Sequence, residues 1–184
     1  MHQLFSVLGL VFSLATPAEG AIFGDDNRYS PREGLPTFEL SRSTAVAVLS
    51  SNFREVGEGK IRLEPATLNK FLCTNERFAE DPSLSYACSG FLVAPDLIVT
   101  AGHCMVNTGE TRNNSKDFCE VFSWLFDYRA GSASGKTQVE GIPSDKLYRC
   151  KQVIYAVKDE AAPFRDYALV QLDRSVLDRK PLRL

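Results

Sequence analysis

Apolar positions along the chain fall into short runs with a period of two, the signature of half-buried strands. Ser43 to Leu49 reads STAVAVL, β-branched and alternating. Phe91-Leu92-Val93 and Leu97-Ile98-Val99-Thr100 are two short apolar strands separated by Ala94-Pro95-Asp96, a turn sequence. Val121 to Tyr128 places Phe122, Trp124, Phe126 and Tyr128 on one face, Tyr148 to Val157 alternates again, and Tyr167 to Leu172 is a final short strand. Gly, Ser and Pro between Arg129 and Asp145 predict a solvated loop. One short helix is expected over Ala66 to Cys73, with Pro65 at its start and Leu68, Phe71 and Leu72 on one face. Many short strands with little helical periodicity predict an all-β fold, an antiparallel barrel or sandwich. In such a fold the aromatic alternation at 122–128 is core, not a ligand surface.

The N-terminus has a different pattern. Leu4 to Ala15 is an apolar run, Pro17 breaks it, and Ala18-Glu19-Gly20 supplies small residues before Ala21. About a dozen apolar residues fall short of the roughly 20 that span a bilayer, and they fit a secretory signal over residues 1–20. The expected product is extracellular or periplasmic and begins at residue 21. With 21 Lys+Arg against 23 Asp+Glu, the 184-residue chain has a formal charge of −2. That balance gives no electrostatic reason to expect nucleic acid or an anionic membrane as partner. A 44% hydrophobic composition excludes a disordered or fibrous chain.

Five cysteines lie at 73, 88, 104, 119 and 150, with no Cys-x-x-Cys pair, and His103 is the only histidine after His2. Metal ligation and thioredoxin-like chemistry are therefore not expected, nor is any cofactor. Disulfides in an oxidising compartment are the simpler account. Five is odd, so one thiol is free or its partner lies elsewhere. The segment Cys88 to Cys104 reads CSGFLVAPDLIVTAGHC. Two strands and a tight turn bring its end cysteines together, and closing a loop of that length contributes about 3 kcal/mol in the chain-entropy model. His103 then sits beside the bridge at the end of a strand, its backbone pinned, as a general base requires.

This segment resembles the histidine motif of the trypsin/chymotrypsin-like serine peptidases, where a strand runs into Thr-Ala-Ala-His-Cys. Gly102 stands in place of the second Ala, a mild departure. Sixty-three positions after His103, Asp166-Tyr167-Ala168-Leu169-Val170-Gln171-Leu172 resembles the family's aspartate motif, with Tyr167 where Ile or Leu is usual. Ile22-Phe23-Gly24-Asp25-Asp26-Asn27-Arg28 resembles the mature start of bacterial secreted, glutamyl-endopeptidase-like members. Leu172-Asp173-Arg174 to Pro181-Leu182 looks like the link leaving the first barrel. The resemblance implies the first of the usual two chymotrypsin-like antiparallel β-barrels over residues 21–184, with the helix in an insertion. It implies proteins or peptides as substrate. His103 would move a proton between a serine hydroxyl and the leaving amine, and Asp166, buried, would hold the other ring nitrogen. Cys88–Cys104 is the expected bridge, Cys119–Cys150 would link the aromatic strand to the later one, and Cys73 is left over.

The nucleophile is missing. After Asp166 the sole serine is Ser175, in a charged turn with no Gly; Ser89 stands at a structural position, and Gly131-Ser132-Ala133-Ser134-Gly135 lacks the Gly-x-Ser-x-Gly spacing. The oxyanion hole and specificity pocket would belong to an absent second barrel, the missing covalent partner. Two readings follow. One is a secreted serine endopeptidase of which this sequence is a portion, inactive alone. The alternative is a non-catalytic secreted binding module on the same barrel. Retention of both His103 and Asp166, and the apolar face a lone barrel would expose, favour the first. Asn113-Asn114-Ser115 fits a glycosylation acceptor only in a eukaryotic source. Ile22 would serve as an activating N-terminus after cleavage at Ala21, its acidic partner lying outside this sequence.

Overall fold

The computed structural model describes residues 25–29, 32–64, 66–67, 72–73, 76–79, 81–83, 88–107, 109–116, 118–128 and 139–183. The expected signal segment, Ile22 and the serine-glycine stretch at 131–135 lie outside them. Residues 1–30 and 31–184 are separate compact units. Within the first, the Arg28 guanidinium pairs with Asp26 at 2.8 Å.

In the second unit, a helix, Pro36–Arg42 (α1), leads into Thr44–Leu49 (β1). Phe53–Gly57 (β2), Lys60–Leu63 (β3), Ala66–Thr67 (β4) and Pro82–Ser83 (β5) follow. Ser89–Ala94 (β6), Leu97–Thr100 (β7), Thr111–Ser115 (β8), Phe122–Phe126 (β9), Val139–Pro143 (β10), Leu147–Lys158 (β11) and Asp166–Leu172 (β12) complete the chain. Six strands close an antiparallel barrel in the order β12-β7-β6-β1-β9-β11, and β11 pairs back onto β12. The chain is all-β, as the strand pattern predicts.

Closure depends on β11, which has 12 residues and serves more than one neighbour. Leu147 to Arg149 pair with β9, Val153 to Val157 pair with β8, and the other edge holds β12 from Cys150 to Lys158. Its two register shifts against β12 bend the strand round the barrel. Alternation then decides what is inside. Ala45 and Ala47 of β1, Leu92 of β6, Ile98 of β7, Trp124 and Phe126 of β9, and Ala168 and Val170 of β12 share one buried cluster. Small residues make room for the indole. A Cβ on Gly90 would stand 2.5 Å from Ile98 Cγ2 and 3.0 Å from the Trp124 ring.

Every side chain of β9 is buried, so alternation alone does not describe it. A second sheet, β10-β3-β2, covers the outside. Ile61, Leu63 and Val139 from that sheet pack on Val48, Leu125 and Leu147, which point away from the barrel interior. The expected loop from Arg129 to Asp145 is corrected here, because Val139–Pro143 is a strand of this sheet and Ser144–Lys146 is a 3-10 turn. The β2–β3 hairpin was not anticipated from the sequence. Its signal is Gly57-Glu58-Gly59, all three at positive φ, which a two-glycine turn permits.

The helix expected over Ala66 to Cys73 is corrected at its start. Ala66–Thr67, its proposed first turn, is a short strand paired with Pro82–Ser83, and residues 68–71 lie outside the described residues. The α-helix among the described residues, Pro36–Arg42, carries proline in its first turn but buries no residue, so it has no apolar stripe to betray it.

The segment after β12 folds back across the barrel. Val176 N–H donates to Pro95 O at 2.7 Å and Leu182 N–H to Leu92 O at 2.8 Å. Arg179, its side chain 1% exposed, anchors this return: it donates to Arg42 O, to Asp127 Oδ2 at 2.8 Å and to both Asp178 oxygens, over the Phe126 ring. Asp178 also takes the Lys146 ammonium at 2.5 Å. Removing a buried cation strands its carboxylates, although both are partly solvated. Arg179→Ala should cost about 2–3 kcal/mol in urea unfolding. A change below about 0.5 kcal/mol would show that the return segment is not anchored there.

Candidate active site

The site lies where β7, β11 and β12 meet. Leu97 to Thr100 pair along β12, with Thr100 opposite Ala168. Thr100 is buried and its hydroxyl donates to Ser89 O at 2.8 Å, which fixes the end of β7. Ala101 leads into a 3-10 turn, Gly102–Cys104, whose first and last residues are buried. His103 is the exposed residue between them, its side chain 54% exposed.

Two contacts anchor that turn. Cys104 is bonded to Cys88, and the Cα atoms are 6.2 Å apart. Gly102 lies against the β11–β12 pair at the level of Val157 and Tyr167. A Cβ there would overlap the Val157 carbonyl oxygen and stand 2.9 Å from the Tyr167 nitrogen. The replacement of Ala by Gly is therefore more than a mild departure, since it permits this approach. A turn set so close to β12 brings His103 over its first residue.

That residue is Asp166. Its carboxylate meets the histidine twice: the His103 backbone N–H donates to Oδ1 at 2.9 Å, and Nδ1 is 2.9 Å from Oδ2. The double contact fixes the ring's Nδ1 side toward the acid, which leaves Nε2 for proton transfer. Lys158, opposite Asp166 across the strand pair, also donates to Oδ2, at 3.2 Å. The His103 ring bond first, then its backbone N–H and the Lys158 ammonium, hold the Asp166 carboxyl well below the usual carboxylate range, against the effect of desolvation. The family pattern implies a buried aspartate. Here the Asp166 side chain is 28% exposed, because it opens β12 at the barrel rim.

The structure thus brings together His103 and Asp166 and places the Cys88–Cys104 bridge beside them. A second bridge joins Cys119 to Cys150 away from the pair, and Cys73 is free and exposed. Atoms of Cys88, His103 and Cys104 lie within 4.8 Å of one another. Two of those sulfurs are bonded to each other and offer no thiolate, so the cluster is not a metal donor set. Ser89 is an exposed residue on β6, and Ser175 lies in the segment after β12; neither is hydrogen-bonded to the His103 ring. Lys158 is the member of the cluster that sequence reading missed. Its signal was register, since pairing Lys158 with Asp166 follows once the β11–β12 hairpin is drawn.

Two outcomes follow from this geometry. Gly102→Ala should lower stability by about 1–3 kcal/mol through overpacking. It should also lengthen the His103–Asp166 contact in a crystal structure; an unchanged contact would mean that the close approach does not set it. The second concerns pH. A carboxyl held low in the folded state contributes stability above its unfolded value of about 4, and that contribution is lost as pH falls below it. Urea midpoints of Asp166→Asn should therefore fall less steeply than wild type between about pH 4 and pH 2. Parallel curves would remove the linkage.

The comparisons agree with the geometry. The trypsin family model matches residues 64–181, a span that holds the histidine turn, the aspartate strand and both disulfides. No curated protein and no solved structure matches the chain. A match over more than half of the sequence, with the strand order of a closed six-stranded barrel, means that the chain belongs to the trypsin family of serine peptidases.

Proposed function

We propose that the chain is the His- and Asp-bearing barrel of a secreted serine endopeptidase, which cleaves peptide bonds in protein substrates. The carrying observation is the paired contact of His103 with Asp166, backbone N–H to Oδ1 and ring Nδ1 to Oδ2, both at 2.9 Å. With Nδ1 engaged, Nε2 takes the proton from a serine hydroxyl as that oxygen attacks the scissile carbonyl. It later gives the proton to the leaving amine, and water repeats the sequence on the acyl-enzyme. Asp166 stays ionised throughout, keeping the ring in one tautomer and stabilising the imidazolium.

In this reading the serine, the oxyanion hole and the specificity pocket come from polypeptide outside residues 1–184, folded as a second barrel. Residues 1–184 alone are then inactive. Secretion is supported by two disulfides, which persist in oxidising compartments, and by the signal-like sequence at 1–20. Among the described residues no helix is long and apolar enough to cross a membrane.

The test uses the product of the entire gene, secreted from its host. It should cleave unstructured protein and react with a fluorophosphonate at a serine beyond Leu184. Asp166→Asn should lower kcat by about 10⁴, the scale on which this carboxylate acts in such triads, and His103→Ala should lower it at least as far. A product that ends at Leu184, cleaves nothing and forms no adduct would overturn the reading in favour of the binding module.

A further inference from the structure

We propose that Lys158 is a positioning residue for the His103–Asp166 pair, its ammonium sharing Oδ2 of Asp166 with the histidine ring. The inference rests on the peptidase reading for its catalytic meaning, but its geometry stands alone. Lys158 and Asp166 are cross-strand partners in β11 and β12. Their register places a cation opposite the acid without any loop having to deliver it. Nζ is 3.2 Å from Oδ2, and both side chains are under a third exposed, 29% and 28%.

The backbone of Lys158 is held as firmly as its head group. Its N–H donates to Glu110 O at 3.2 Å, and its carbonyl accepts from Gly109 N–H at 2.7 Å. The ammonium is therefore fixed at both ends of its stem. It leaves the carboxylate one orientation that meets all its donors: Oδ1 on the His103 N–H, Oδ2 shared between ring and ammonium.

The second consequence is electrostatic. Nδ1 and Nζ reach the same oxygen from 2.9 and 3.2 Å, so they lie within about 6 Å of each other. A charged imidazole and the ammonium then compete for one anion. A neutral residue in place of Lys158 would leave a charge on the ring less opposed. The other charged groups on these elements are committed or more distant. Asp159 is clamped by Arg165 through Nε at 2.8 Å and the backbone, Glu110 pairs with Arg112, and Glu160 stands near Gly109. Tyr155 and Tyr167 pack on each other with ring centroids 5.6 Å apart. Among the described residues, His103 and Lys158 are the side chains that meet the Asp166 carboxylate.

The experiment compares wild type, Lys158→Met and Lys158→Arg in two measurements on the full gene product. In Lys158→Met the acid limb of kcat/KM should move to higher pH by about half a unit, the scale of a unit charge at about 6 Å in a water-like medium. KM should change less than about twofold, and Lys158→Arg should restore the wild-type limb. By proton NMR, the low-field Nδ1–H resonance of the His103–Asp166 bond should keep its acidic position to a pH higher by the same amount in Lys158→Met. Its assignment comes from its loss in Asp166→Asn. An acid limb and a resonance that are both unmoved in a folded Lys158→Met protein would overturn the proposal. If the protein proves inactive, the peptidase reading fails and the NMR titration alone decides the role of Lys158. An Asp166→Asn protein that keeps full activity would instead overturn the triad and leave the Lys158 geometry to the same titration.

Discussion

The site depends on one close approach, that of Gly102 to the Val157 carbonyl and the Tyr167 nitrogen. The three hydrogen-bonded residues of the site lie within one residue of it: His103 follows Gly102 in the turn, Lys158 follows Val157 in β11, and Asp166 precedes Tyr167 in β12. A side chain at position 102 would hold the turn off the strand pair. The contacts at 2.9 Å between His103 and Asp166 would then lose their reach, because hydrogen bonds weaken steeply with distance and angle. The disulfide at Cys104 constrains the same turn from its far side. A short turn held at both ends gives the histidine little backbone freedom, which suits the proton-transfer role proposed for it.

That approach is possible only because the barrel closes where it does. The long strand β11 carries its hydrogen bonds from β9 to β8 along one edge while β12 occupies the other. This brings the ends of β7 and β12 to the same rim. Core volume sets the closure: Trp124 and Phe126 fill the interior, and Gly90, Ala45, Ala47, Ala156 and Ala168 leave room for them. A barrel this tightly filled transmits displacement, since interiors pack with few voids. The geometry of an exposed histidine thus rests on a tryptophan buried well inside the fold.

Legibility of these features in the sequence followed the strength of local pattern. The barrel strands were readable because one face of each is buried and the other is not, as in β6, β7 and β12. The β2–β3 hairpin and β10 were not, because their role is to cover β9, and that partnership joins residues some 75 positions apart, as in Leu63 with Val139. Pro36–Arg42 buries no residue, so no apolar stripe marks this helix in the sequence. At the site, His103 and Asp166 announced themselves through motif order. Lys158 did not, since no motif contains it and only strand register makes it a neighbour. The significance of Gly102 was hidden for a similar reason: crowding by another strand leaves no mark on the local sequence.

The position of the pair at the rim has an energetic consequence. With His103 just over half exposed and Asp166 more than a quarter exposed, water screens the attraction between them. In that state the carboxylate relies on geometry, with three donors on two oxygens, more than on field strength. Covering the rim with another surface would remove that screening and strengthen every charge interaction on Asp166 together. The imidazolium and the ammonium would gain on the carboxylate but also repel one another more strongly. The charge balance of the pair is held by the barrel itself, before any covering surface contributes.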